Sequence, residues 1–137
     1  MNQQLSFAEI SVWMAGATFG TNKARKTGSM NISNIDAANE WFQVLQTTKH
    51  AQTAVMLLTP GGHSSEVLNT HEKSDQVLFL VEGELTAEVA GEKRMMRKGD
   101  VCIVPAGTPH RFDNCGKERA VTLNVYSPPE YSPRTKG

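Results

Sequence analysis

The sequence predicts an all-β domain, an antiparallel sandwich or barrel, on three observations. Apolar residues fall in short runs, turn residues close each run, and no helical pattern is long enough to compete. Runs such as residues 42–45 (FQVL), 53–58 (TAVMLL) and 76–81 (QVLFLV) have strand length. Pro60-Gly61-Gly62, Glu82-Gly83, Ala90-Gly91, Lys98-Gly99-Asp100 and Pro105-Ala106-Gly107 punctuate them at short intervals. Such spacing suits brief antiparallel strands rather than alternating βα units.

Taken in order, residues 1–30 read as an N-terminal arm and linker. The polar, basic, glycine-containing stretch 21–29 (TNKARKTGS) separates the arm from the globular part. Residues 31–127 are the barrel domain. Ser33 and Asp36 have capping-box spacing, which admits a helix over residues 36–45, but that segment is short and weakly periodic and is assigned to strand. The run 76–81 is apolar on both alternating faces, so one face fills the barrel. The other is expected under the arm, against a second subunit in a homodimer, or beneath another part of the same chain. Residues 128–137 follow as a proline-rich, polar, extended tail with no assignable chemistry.

A chain of 137 residues is the size of one ordinary domain and long enough to bury a core without disulfide staples. Lys plus Arg and Asp plus Glu both number 14, so no global field recruits nucleic acid or an anionic membrane. Cys102 and Cys115 form neither a disulfide framework nor a zinc-ligand spacing, which fits a reducing cytoplasm. Residues 5–19 are moderately apolar, but Glu9, the lack of a basic start and the short length argue against a signal peptide or membrane anchor. No phosphate loop, nucleophile elbow or nucleic-acid motif is found. A small-molecule ligand is the expected partner.

The chemistry concentrates in two histidine segments. In the first, Asn69 and His71 are two apart on an expected strand, so both side chains project from one face. A polar turn follows, and a new strand begins with Gln76. In the second, residues 99–114, a Gly-Asp turn leads into a buried strand. Pro105 and Gly107 then form a tight corner, with His110 just past it on a rigid frame. Two histidine nitrogens and two amide oxygens can converge from separate strands.

These segments resemble the cupin superfamily, whose two motifs are G-x5-H-x-H-x3,4-E-x6-G and G-x5-P-x-G-x2-H-x3-N. Gly99, Pro105, Gly107, His110 and Asn114 match the second motif in full. The first motif is degenerate: Asn69 replaces its first histidine, His71 is retained, Gln76 stands for glutamate and Gly83 closes it, while Gly62 lies one residue too far upstream to open it. The resemblance implies a jelly-roll barrel, an antiparallel double-stranded β-helix. It also implies a divalent metal site (Fe, Mn, Ni, Zn or Cu) at Asn69, His71, Gln76 and His110. Two neutral amides in place of an imidazole and a carboxylate weaken the hold on a transition metal. The implied function is metal-dependent isomerase or dioxygenase chemistry on a small oxygenated substrate. The rival is a non-catalytic module that binds a sugar or carboxylate without metal.

Other polar residues have plainer readings. His63 and His50 are loop histidines, and Glu66 and Glu72 are solvated turn charges unless one points inward as a general base. Cys102 packs as a small apolar residue. Lys93, Arg94, Arg97 and Lys98 solvate a hairpin face, and Trp13 and Trp41 are packing residues.

Overall fold

A computed structural model describes residues 30–133, so the expectations placed on the arm before residue 30 lie outside the described residues. A single 3-10 turn, Ile35–Ala37, opens the described part, and eight strands follow. They are β1 (Phe42–Thr47), β2 (Gln52–Leu58), β3 (Asp75–Glu82), β4 (Glu84–Val89), β5 (Glu92–Arg97), β6 (Val101–Val104), β7 (His110–Asp113) and β8 (Ala120–Ser127). The 3-10 turn is where the sequence admitted a helix. Asn34, not Ser33, caps it, accepting the Asp36 N–H, and the chain is extended again by Phe42. Among the described residues no helix is long and apolar enough to cross a membrane.

All pairings between these strands are antiparallel. Five strands form one sheet in the order β1-β2-β8-β3-β6, and three form another in the order β5-β4-β7. The core collects Phe42, Met56, Leu58, Leu78, Leu80, Leu85, Met96, Val104 and Phe112 from both sheets. Full burial of each Leu or Phe stabilises the fold by roughly 1.5–3 kcal/mol.

The register of β3 explains its two-sided apolar pattern. Gln76, Leu78 and Leu80 are buried, whereas Phe79, one position out of phase, is 37% exposed. Phe79 pairs with Val101, and Val77 with Ile103; Val101 and Ile103 are each 62% exposed on β6. This sheet therefore has an apolar outer face as well as an apolar inner one, as the alternation implied.

The same register sets a polar patch inside the barrel. Gln52 and Gln76 both lie opposite Tyr126 on β8, and Ala54 and Leu78 both lie opposite Asn124. Because side chains alternate along a strand, Gln52, Gln76, Thr122, Asn124 and Tyr126 share the inner face, and all five are buried.

The motif glycines have steric causes. Gly83 has φ +88°, and a Cβ there would collide with the Arg119 carbonyl. Gly107 has φ +80° at the corner before β7.

Candidate functional site

The corner that aims His110 is bolted to the segment that carries His71. Gly107 N–H donates to the His71 carbonyl at 2.7 Å, and Ala106 N–H donates to Asp75 Oδ1 at 2.8 Å. Asn69 and His110 exchange both backbone hydrogen bonds, each 2.8 Å. Asn69 and His71 are not on a regular strand. Asn69 makes an isolated bridge to His110, and His71 lies just beyond it, before β3 begins at Asp75. The chain bends at residues 72 and 73 before β3 begins, and Asn69 pairs only through this one-residue bridge.

Both histidines are buried, at 5% and 3% exposure, with ring centroids 4.9 Å apart. Hydrogen bonding fixes their tautomers. His110 Nδ1 is 2.9 Å from the Thr108 carbonyl, which can only accept, so Nδ1 carries the hydrogen and Nε2 keeps its lone pair. His71 Nδ1 is 3.2 Å from Glu130 Oε2, which can only accept, so Nδ1 carries a hydrogen, and in the neutral ring Nε2 keeps its lone pair. Burial lowers the pKa of His110. The charge of His71 acts in the same direction, while the Thr108 bond and Glu130 oppose it. A neutral imidazole at neutral pH is the form that ligates a metal.

Gln76 contributes an unpaired oxygen. Thr122 Oγ1 donates to the Met56 carbonyl and must therefore accept from Asn124 Nδ2, at 2.9 Å. The Ala54 carbonyl, 3.5 Å from the same nitrogen, demands the same orientation. Asn124 Oδ1 is thus turned to Gln76 and accepts from its Nε2 at 3.0 Å. Among the described residues, the relay leaves Gln76 Oε1 buried without a hydrogen-bond partner. An orphaned buried carbonyl oxygen costs about 1–3 kcal/mol, a cost that a bound water or ligand would offset.

His71, His110, Gln76 and Asn69 line one pocket of about 220 Å³, together with Trp41, Phe42, Met56, Ser64, Phe112, Tyr126 and Tyr131. Asn69 sits at the exposed end, its Oδ1 already accepting Thr70 N–H. Two larger clefts, about 510 and 520 Å³, contain no histidine in their walls and do not touch this cluster. Burial raises the pKa of Tyr126 well above that of an ordinary phenol. Burial also raises that of Tyr131, against a hydrogen bond to Tyr126, so both hydroxyls are neutral at neutral pH.

The remaining polar residues stay outside the pocket. Glu66 is exposed and pairs with His63 at 3.0 Å, a contact that lowers its carboxyl pKa. Glu72 and His50 are exposed. Cys102 is half-buried beside the core, and its burial pushes the thiol pKa up. Met96 is buried, while Met95, Lys93 and Arg94 are exposed on β5. Asn114 closes a loop, its Nδ2 donating to the Leu58 and Glu118 carbonyls at 2.8 Å each.

Sequence reasoning missed Glu130, Tyr131 and Gln52. The first two fall in the stretch read as an extended tail, and Gln52 stands just before the apolar run 53–58 and was assigned no role. The aromatic Tyr131, placed among prolines, was the one available signal.

Comparison with known proteins bears on the same region. The cupin domain model matches residues 54–126. An uncharacterized protein of Methanocaldococcus jannaschii is 30% identical over 78 residues, covering 57% of this chain and 62% of that protein. Acireductone dioxygenase of Alcanivorax borkumensis is 37% identical over 68 residues, 46% of this chain and 38% of the enzyme. The chain thus spans less than two thirds of these relatives' length. The crystal structure of BH2720 from Bacillus halodurans superimposes with a TM-score of 0.70 at 21% identity, covering 83% of this chain and 89% of that one. With the family model spanning more than half of the sequence on an antiparallel jelly-roll barrel, the chain belongs to the cupin family.

Proposed function

We propose that this cupin binds a divalent metal ion through His71, His110 and Gln76, with Asn69 at the rim. In this reading the ion serves isomerase or dioxygenase chemistry on a small oxygenated substrate. The observation that carries it is that His71, His110 and Gln76 line one pocket, with Gln76 Oε1 buried and, among the described residues, without a hydrogen-bond partner. These donors fit a borderline transition metal, to which imidazole binds well and amide oxygen weakly, so micromolar-range affinity is expected. A bound ion supplies Lewis acidity toward a carbonyl or enediol oxygen, or a redox centre for dioxygen.

The chain's own residues do the rest. Trp41, Phe42, Met56 and Phe112 give the pocket apolar walls that exclude water and strengthen every polar contact inside it. A volume of about 220 Å³ suits a substrate smaller than a drug-sized ligand, which takes ≈ 300–1,000 Å³. The dioxygenase relative supports the oxygenated substrate class.

A second reading is favoured by the lining itself: it is largely aromatic, and among the described residues no cluster of three or more His, Cys, Asp or Glu side chains could hold a metal. Under that reading the pocket binds a small molecule without metal. Elemental analysis of protein purified without chelator, then calorimetric titration with Mn2+, Fe2+, Ni2+, Zn2+ and Cu2+, separates the two. Stoichiometric uptake is expected; no uptake of any of these ions removes the metal reading and leaves the binding module. Turnover tests in air and without oxygen then distinguish dioxygenase from isomerase.

A further inference from the structure

After β8 the chain turns back along the barrel. Ser74 Oγ donates to the Pro128 carbonyl at 2.7 Å. The side-chain amide of Gln52, only 1% exposed, then grips the next residues. Its Oε1 accepts Glu130 N–H at 3.2 Å and Tyr131 N–H at 2.9 Å, while its Nε2 donates to the Tyr131 carbonyl at 2.7 Å and to Thr47 Oγ1 at 3.0 Å. Every hydrogen-bonding position of that amide is used. The Tyr131 ring is set against Phe42, Tyr126 and His71, at centroid distances of 4.9, 5.2 and 6.0 Å. Between these anchors, Glu130 Oε2 meets His71 Nδ1.

We propose that residues 128–131 form a strap, latched by Gln52, that presents Glu130 to His71 as a positioning residue. The carboxylate holds the His71 ring and its Nδ1–H tautomer, so that Nε2 keeps its lone pair for whatever the pocket binds. A histidine side chain in water favours the other tautomer, with the hydrogen on Nε2, which cannot ligate through that atom. His110 avoids this by bonding a backbone carbonyl two residues away. His71 has no such local acceptor, and the strap supplies a remote one. Ordering a glutamate side chain costs up to about 2 kcal/mol of rotamer freedom. Latching the backbone on both sides of Glu130 confines that cost to the side chain. At 26% side-chain exposure the carboxylate is also less screened than on an open surface.

The tautomer claim stands without a metal, whereas its effect on affinity rests on the metal reading above. Both are tested on the full chain. Long-range 1H–15N NMR of the metal-free protein, at a pH where the imidazoles are neutral, reads each tautomer. In the parent, His71 and His110 are both expected with the hydrogen on Nδ1. Glu130→Ala should move His71 toward Nε2–H and leave His110 unchanged. Gln52→Ala should move His71 the same way without touching any histidine, and Glu130→Gln should rescue it, since an amide oxygen still accepts. In Co2+ titrations, Glu130→Ala should weaken binding about 10–100-fold with the ligand-field spectrum unchanged in type.

If His71 keeps its Nδ1–H tautomer in Glu130→Ala, the strap is packing only and the proposal is overturned. Loss of an oxygen ligand from the Co2+ spectrum of Glu130→Ala would also overturn it, by making Glu130 a ligand. Should the parent bind no Co2+ while the tautomers shift as expected, the proposal stands and the metal reading falls. Glu130 is partly exposed, so its two variants decide the matter even where Gln52→Ala fails to fold.

Discussion

His110 and His71 face each other across 4.9 Å and are held by opposite means. The tautomer of His110 is set from within its own segment. The corner at Pro105 to Gly107 aims the ring, and the Thr108 carbonyl sets its tautomer. His71 is fixed from outside, by a carboxylate that arrives on a different part of the chain and is held there by a glutamine on β2. The difference shows that one pocket wall can be written in a local backbone pattern, while the wall opposite depends on a long-range latch.

Removing either ring tests the shared claim and has the largest expected effect. His71→Ala or His110→Ala should lower metal affinity by at least about 100-fold, roughly 2.7 kcal/mol, measured by calorimetry. Affinity retained in both would end the equivalence of the two walls. Gln52→Ala should separate them. It strands two backbone N–H groups and a carbonyl in a half-buried place, costing about 1–3 kcal/mol of stability in urea unfolding. A cost within experimental error would mean the latch is not holding.

Gln76→Glu probes the position shared by the two walls. The substitution adds a negative charge in a partly desolvated pocket and should raise metal affinity at least about tenfold, roughly 1.4 kcal/mol. Without metal it should destabilise the protein. A carboxylate cannot donate to Asn124 Oδ1, so Asn124 must turn its amide, losing the Ala54 carbonyl, and Thr122 Oγ1 must leave the Met56 carbonyl to donate to the turned Oδ1. Unchanged affinity together with unchanged stability would remove Gln76 from the site. The smallest effect belongs to Asp75→Ala, which releases one hydrogen bond to the corner at Ala106 and should cost about 1 kcal/mol. It should broaden His110 resonances and spare those of His71. The reverse pattern would contradict the corner's hold on His110.

What was legible in the sequence follows the same division. The second motif was readable because its parts act over a few residues: Gly107 at φ +80°, Pro105 two positions before it, and a histidine three positions on. The apolar character of both faces of β3 was readable from its alternation, with Leu78 and Leu80 buried and Phe79 exposed. The expected strand under Asn69 and His71 was not found: the chain bends at residues 72 and 73 before β3 begins, and Asn69 pairs only through an isolated bridge. The grip on Glu130 and Tyr131 was invisible for a physical reason. Gln52 and Tyr131 are 79 residues apart, and nothing in either neighbourhood encodes the other. Antiparallel pairing of β2 with β8 brings them together, and that pairing is a property of the whole fold. The orphaned Gln76 oxygen was hidden likewise, since it depends on a relay through Asn124 and Thr122 on another strand.

The central claim is that one ion sits between the two histidines, and counting its imidazole ligands tests this most directly. Pulsed EPR of the protein loaded with one equivalent of Cu2+ should show two coordinated imidazoles, falling to one in either His71→Ala or His110→Ala. An imidazole count that stays the same in the double variant would place the ion elsewhere and contradict the account.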